Sequence, residues 1–242
     1  MNPTAQWLAQ REEKAALLAS PVNLTAYFEM PDVHGKPLHR FEVGTVSLPT
    51  GQVLVKDPIH GLAETGQPYH VDVPAGEHPV TVAAVKTEFD CDRYAAVRVT
   101  FSPAPAATYE LALVGDEDLS TLVPDGYFGF TVKKGLAAIF DRQSAEAAAE
   151  FAAAFQAGHP GADLYADYFA PLLSQKASAD CGDWLRWTVP GTDYHVPIFQ
   201  SGFGNGNYPV YLGRDASGNV CCLVVHLIDV EFEFGETEGM VI

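Results

Sequence analysis

Tyr208-Pro209-Val210-Tyr211-Leu212-Gly213-Arg214 and Asn219-Val220-Cys221-Cys222-Leu223-Val224-Val225-His226-Leu227 flank the tetrapeptide Asp215-Ala216-Ser217-Gly218. Asp and Ser side chains bond their own backbone, and Gly accepts positive φ, so the tetrapeptide suits a hairpin turn. The flanks are strand-length, apolar and rich in β-branched and aromatic residues. The stretch therefore predicts two antiparallel strands. Cys221 and Cys222 are neighbours on one of them, so their side chains point to opposite faces, as reduced thiols serving as small hydrophobes.

Working outward, the period of two recurs. Val97, Val99 and Phe101 alternate with Arg98 and Thr100, and Tyr109, Leu111 and Leu113 repeat the pattern beyond Pro103-Ala104-Pro105-Ala106. Residues 79–86, 184–189 and 194–199 are further strands. Phe41, Val43 and Thr45 alternate before Pro49-Thr50-Gly51, and Gln52 to Lys56 resumes, which predicts a hairpin. Val230, Phe232 and Phe234 alternate with Glu231 and Glu233, predicting a last half-exposed strand.

The period changes in two places. Residues 4–19 are rich in Ala, Leu, Gln, Glu and Lys and predict a helix that Pro21 stops. Residues 144–157 predict a second helix, with Ala147, Phe151, Ala154 and Phe155 on its inner face. Gly158-His159-Pro160-Gly161 ends it. Asp163 caps a third, carrying Tyr165, Tyr168, Phe169 and Leu172. The expected architecture is mainly β (α+β): an antiparallel β sandwich or bent sheet with an N-terminal helix and two middle helices packed on it. In domain terms, residues 1–20 are the N-terminal helix. Residues 21–235 are one β-rich domain with a helical segment at about 142–175, and 236–242 are a tail.

With 31 acidic against 14 basic residues, the net charge is −17. Such a surface repels phosphate backbones and anionic lipid, which argues against nucleic acid and membrane as partners; it either attracts a basic protein or metal cations or simply keeps the protein soluble. No apolar run reaches the ~18 residues of a membrane helix. Arg11, Glu12, Glu13 and Lys14 stand where an export signal has its apolar core, so a cytoplasmic protein is expected.

The order of segments resembles the DUF4241 family, a bacterial family of unknown function. Ser201-Gly202-Phe203-Gly204-Asn205-Gly206-Asn207-Tyr208, the Tyr211-Leu212-Gly213-Arg214-Asp215 turn and the following apolar strand carry the resemblance. Asp57-Pro58, Pro74 to Val80, and Gly129 to Gly135 through Asp141 agree with it. The resemblance implies acids at two positions where this chain has Lys133 and Asn205. If those acids act chemically in relatives, this chain lacks them.

The glycines of loop 201–207 let backbone N–H groups approach an anion, while Asn205-Gly206 is also a hairpin signal. Ser201, Gly202, Gly204, Asn205, Gly206 and Tyr208 are thus either a structural turn or a ligand or partner loop. Asp57, His60, Asp141 and Asp215 are the candidate polar site of a metal-assisted hydrolase or other small-molecule enzyme near this loop. Asp57 with His60, and His70 with Asp72, are pairs, and two residues do not complete a metal centre; no nucleophile elbow surrounds Ser201. Asp57 also reads as a turn cap before Pro58, and His226 as a satisfied core histidine. Cys91, between two aspartates, sits in a field that disfavours a thiolate. No metal or cofactor is expected, and the leading expectation is a non-enzymatic acidic binding protein of immunity or accessory type.

Overall fold

A computed structural model describes residues 3–87, 92–174 and 182–235. The expectations for Cys91 and for the tail 236–242 lie outside the described residues. Three short helices open the chain: α1 (Ala5–Glu13), α2 (Ala15–Leu18) and α3 (Leu24–Glu29). Strands β1 (Asp32–Val33), β2 (Lys36–Leu48), β3 (Val53–Lys56), β4 (Gly76–Val85), β5 (Arg93–Thr100) and β6 (Thr108–Leu111) follow. Next come β7 (Gly129–Val132), β8 (Leu136–Asp141), α4 (Arg142–Gly158) and α5 (Ala170–Ser174). The chain returns to strands in β9 (Trp184–Thr188), β10 (His195–Gln200), β11 (Gly206–Arg214) and β12 (Val220–His226), and α6 (Val230–Phe234) comes last.

The strands form two antiparallel sheets. The larger runs β1-β2-β4-β5-β12-β11-β6, with β7 also paired to β11; the smaller runs β3-β8-β10-β9. The hairpin β11–β12 forms as its sequence predicts, with Tyr211 opposite Val224 and Leu212 opposite Leu223. Inside the large sheet β12 pairs with β5, setting Leu223 against Val99 and Cys222 against Thr100. Cys221 and Cys222 are both buried, and the bulge opposite Gly213 and Arg214 leaves them lining the same cavity, not opposite faces as expected.

The small sheet is sandwiched between the large sheet and the helices. Ala137 and Ile139 of β8 and Phe199 of β10 join the core of the large sheet. Leu136, Ala138 and Phe140, with Val196 and Ile198, join a second core with Ala145, Ala148, Ala152, Phe169 and Leu173. The result is a mainly β, α+β fold, as expected.

The details depart from expectation in several places. The segments around 41–48 and 53–56 do not form a hairpin: β2 pairs with β4, and β3 pairs with β8 in the other sheet. The intervening Pro49-Thr50-Gly51 is a corner. Gly51 has φ +72° and a Cβ there would lie 2.2 Å from the Val73 carbonyl oxygen, so the corner needs glycine. A bulge between Glu42 and Thr45 also shifts the alternation, turning Val46 inward.

Residues 230–234 are a helical turn, because the Asp229 carboxylate accepts the Phe232 N–H at 3.1 Å and caps it. The N-terminal helix breaks at Lys14 into α1 and α2, and Leu8 faces solvent while Trp7 and Leu18 are buried. In α4 the buried face is Ser144, Ala145, Ala148 and Ala152, not the phenylalanine face; Ala154 is exposed and Phe151 sits at the boundary. Small side chains let the helix approach β8 closely.

Among the described residues no helix is long and apolar enough to cross a membrane. The face of α4 supplies a test. Ala148→Leu overpacks the second core and should cost about 1–3 kcal/mol. Ala154→Leu should change stability by less than about 0.5 kcal/mol. Urea denaturation of both variants reads the difference.

Candidate functional site

Three loops meet beside the end of β3: residues 57–61 after β3, the turn 133–135 between β7 and β8, and loop 201–205 between β10 and β11. Asp57, buried, organises the junction. Its Oδ1 accepts the N–H groups of Ile59 at 2.7 Å and His60 at 2.9 Å. Its Oδ2 accepts those of Lys133 at 2.8 Å and Lys134 at 3.0 Å. The next amide, Gly135, donates to Asn205 Oδ1 at 3.0 Å. Consecutive amides that converge in this way form a concavity suited to an anion. Here the protein's own Asp57 carboxylate occupies it.

Around this knot the charged groups are held locally. The Lys133 Nζ lies 3.0 Å from His60 Nε2. Lys56 donates to the Gly61 carbonyl at 3.0 Å and to that of Glu64, and sits over the Phe140 ring. Burial pushes the Lys56 ammonium down to about 8, against an opposing pull from Glu64.

Loop 201–205 is closed on itself. Ser201 is fully buried, and its Oγ donates to the Gly204 carbonyl at 2.8 Å. The Tyr208 hydroxyl lies 2.9 Å from the Ser201 carbonyl and 2.7 Å from that of Gly204. Gly202 has φ +49°, and a Cβ there would meet the Leu227 carbonyl oxygen at 2.9 Å. Gly206 has already entered β11, opposite Val132. Phe203, at the tip, is 53% exposed.

The junction therefore gathers Asp57, His60, Ser201, Gly204 and Asn205. It does not gather Asp141 or Asp215. Asp141 pairs with Val53 across the ladder, four residues from Asp57 and thus roughly 13 Å away along β3. It caps α4 through Gln143 N–H at 2.9 Å and accepts both N–H and hydroxyl of Thr50. Asp215 lies in the β11–β12 turn, where its Oδ1 accepts the N–H groups of Ser217 and Asn219. Among the described residues no three His, Cys, Asp or Glu side chains are placed to hold a metal ion.

A family model described as "Protein of unknown function (DUF4241)" matches residues 46–225. The chain belongs to the DUF4241 family. No curated protein and no solved structure gives a significant match. The DUF4241 span runs from the end of β2 nearly to the end of β12 and so contains the whole three-loop junction. It leaves out α1 to α3, β1 and α6. At the two positions where this DUF4241 chain has Lys133 and Asn205, the backbone N–H of Lys133 and the side-chain oxygen of Asn205 hold the turn. Neither role needs a negative charge. The function of turn 133–135 was not visible in the sequence, because it depends on three loops distant in the chain.

His226 is a core residue: its Nε2 lies 3.1 Å from the Tyr27 hydroxyl, which also accepts the Val230 N–H at 3.0 Å. Burial lowers the His226 imidazolium to about 4, with Asp229 pulling the other way.

Two outcomes follow from these contacts. Asp57→Ala orphans buried amides at about 1–3 kcal/mol each, so urea denaturation should show a loss of at least about 2 kcal/mol. For His226 the folded pKa lies below the unfolded value of 6.5, so the unfolded chain binds the proton first as pH falls. Its contribution is complete above pH 6.5 and is lost towards pH 4, amounting to about 3 kcal/mol. Denaturation midpoints at pH 7 and pH 4.5 should converge between the wild type and His226→Asn as this slope disappears.

Proposed function

We propose that this protein is a non-enzymatic binding protein that receives a basic protein partner, in an immunity or accessory role. The observation that carries this reading is the division of its acids. Candidate catalytic carboxylates, Asp57, Asp141 and Asp215, are engaged by backbone amides of their own turns. The other acids of the described residues lie at least partly at the surface, several of them, such as Asp32, Glu117 and Asp118, also accepting turn amides. Among the described residues, the arginines that meet carboxylates are Arg11, Arg98, Arg142 and Arg214, and they engage Glu110, Glu29 and Glu146. Against a net charge of −17 this leaves a wide negative field. Such a field accelerates and orients encounter with a positively charged partner.

A hydrolase built on Asp57, His60, Asp141 and Asp215 would have to withdraw these carboxylates from the turns they organise, and bring together groups that stand on different sheets. No geometry favours it over the binding reading.

Immobilised protein should retain a discrete basic protein from cell extract at 50 mM salt and release it by 500 mM. The purified pair should then show an affinity that falls steeply with ionic strength in calorimetric titration. Absence of any retained protein at both salt concentrations would sink the proposal.

A further inference from the structure

Three cavities lie in a row on the face formed by α3, β11 and α6. The central one, about 440 Å³, is lined by Val22, Tyr127, Tyr211, Phe232, Asp125 and Asp229, among others. The second, about 240 Å³, shares Asp125, Tyr127 and Tyr211 with it. The third, about 250 Å³, shares Val22 and Asp229 and adds Asp32 and Glu231. Together they make one open groove.

We infer that this groove is the docking site for an extended segment of the partner, one carrying alternating apolar and Lys or Arg side chains. This deepens the binding function proposed above and rests on it.

Chemistry along the groove selects that occupant. Among the described residues no lysine or arginine lines any of the three cavities, whereas carboxylates recur in each: Asp125, Asp229, and Asp32 with Glu231. His34 reaches Glu231 at 2.9 Å, and His226 is held neutral by burial. The aromatic rings of Tyr127 and Phe232 are exposed at 43% and 82%. Exposed aromatic faces next to carboxylates suit cationic side chains, which gain from both charge and ring quadrupole. Apolar side chains between them would cover the rings, which water otherwise contacts.

The rim is held in place before any partner arrives. Asp125 has φ +62°, a conformation that Asp tolerates better than most residues. The Tyr127 hydroxyl donates to the Asn207 carbonyl at 2.9 Å. Asp229 caps α6 through Phe232 N–H, which fixes where Phe232 projects. A fixed rim spares ordering entropy on binding. Pro21, Val22, Asp229 and Phe232 lie outside the residues matched by the family model, while Tyr127 and Tyr211 lie within them. The groove is thus built where the flanking segments fold back on the family span.

The test uses the full chain and a fluorescein-labelled peptide of alternating Leu and Arg, with binding followed by anisotropy at 50 mM salt. Phe232→Ala combined with Tyr127→Ala keeps the charge and removes two exposed rings, together with the Tyr127 hydrogen bond to Asn207. It should weaken binding at least tenfold. Asp125→Asn should weaken it severalfold. Glu12→Gln with Glu13→Gln, on exposed α1, should change it less than twofold. If the peptide binds but the aromatic variants match wild type, or if an all-Arg peptide binds equally well, the groove is not the site and only the broader acidic-surface reading stands. If neither the wild type nor any variant binds the peptide, the groove inference falls, and the broader reading stands or falls on the extract experiment. Sedimentation provides the remaining check: a wild-type dimer broken by Phe232→Ala would show that a second copy occupies the groove, and would overturn the inference.

Discussion

Strand β8 must be buried on both faces at once, and the rest of the architecture answers to that requirement. Its odd-numbered residues, Ala137 and Ile139, pack towards the large sheet; Leu136, Ala138 and Phe140 pack towards α4 and α5. A shift of one residue would exchange the two sets and present the wrong volumes to each layer. Neighbours on both sides fix the register, with Val55 opposite Ile139 in β3 and Ile198 opposite Ala138 in β10. Asp141, at the strand's end, then starts α4 directly through its capping box. The helix that covers the strand is thereby launched from the strand itself.

This constraint also explains which elements were legible in the sequence. The end of β5 alternates visibly, because Val97 and Val99 are inside while Arg98 and Thr100 are only part-buried. A strand covered on both faces has no polar phase, so Leu136 to Phe140 gives no period of two. In α4 the large phenylalanines suggested the inner face. Alanines won because the spacing to β8 is short, a property of the layer and not of the helix. The stretch Val230 to Phe234 alternates like a strand, but a single carboxylate one residue upstream turns it into a helix. Pairing partners were the least legible feature, since a Pro-Thr-Gly corner between sheets looks locally like the turn of a hairpin.

The chemistry was legible in residue type but not in role. Asp57 reads more readily as a turn cap than as a member of a polar site, but that it also holds the Lys133 and Lys134 amides is visible only in the fold. The Gly-rich loop reads as a structural turn or as an anion cradle; the amide concavity belongs to the neighbouring turn and holds an internal carboxylate. The groove left no local mark at all. Its aromatic residues come from a loop, a central strand and a terminal helix, each ordinary in its own context. What the composition did convey was the sign of the charge, and the groove is where that sign meets exposed rings.

The large sheet pairs β5 with β12, strands that lie far apart in the chain. During synthesis β5 emerges long before the segment that will flank it, and β4 can satisfy only one of its edges. The exposed edge of β5, with Val97 and Val99 on it, is then a template for any other nascent chain close by. The acidic surplus that accumulates as the rest of the chain emerges would repel identical chains while that edge waits. The negative charge would thus act first as protection between sibling chains on one ribosome-studded message, before it attracts anything.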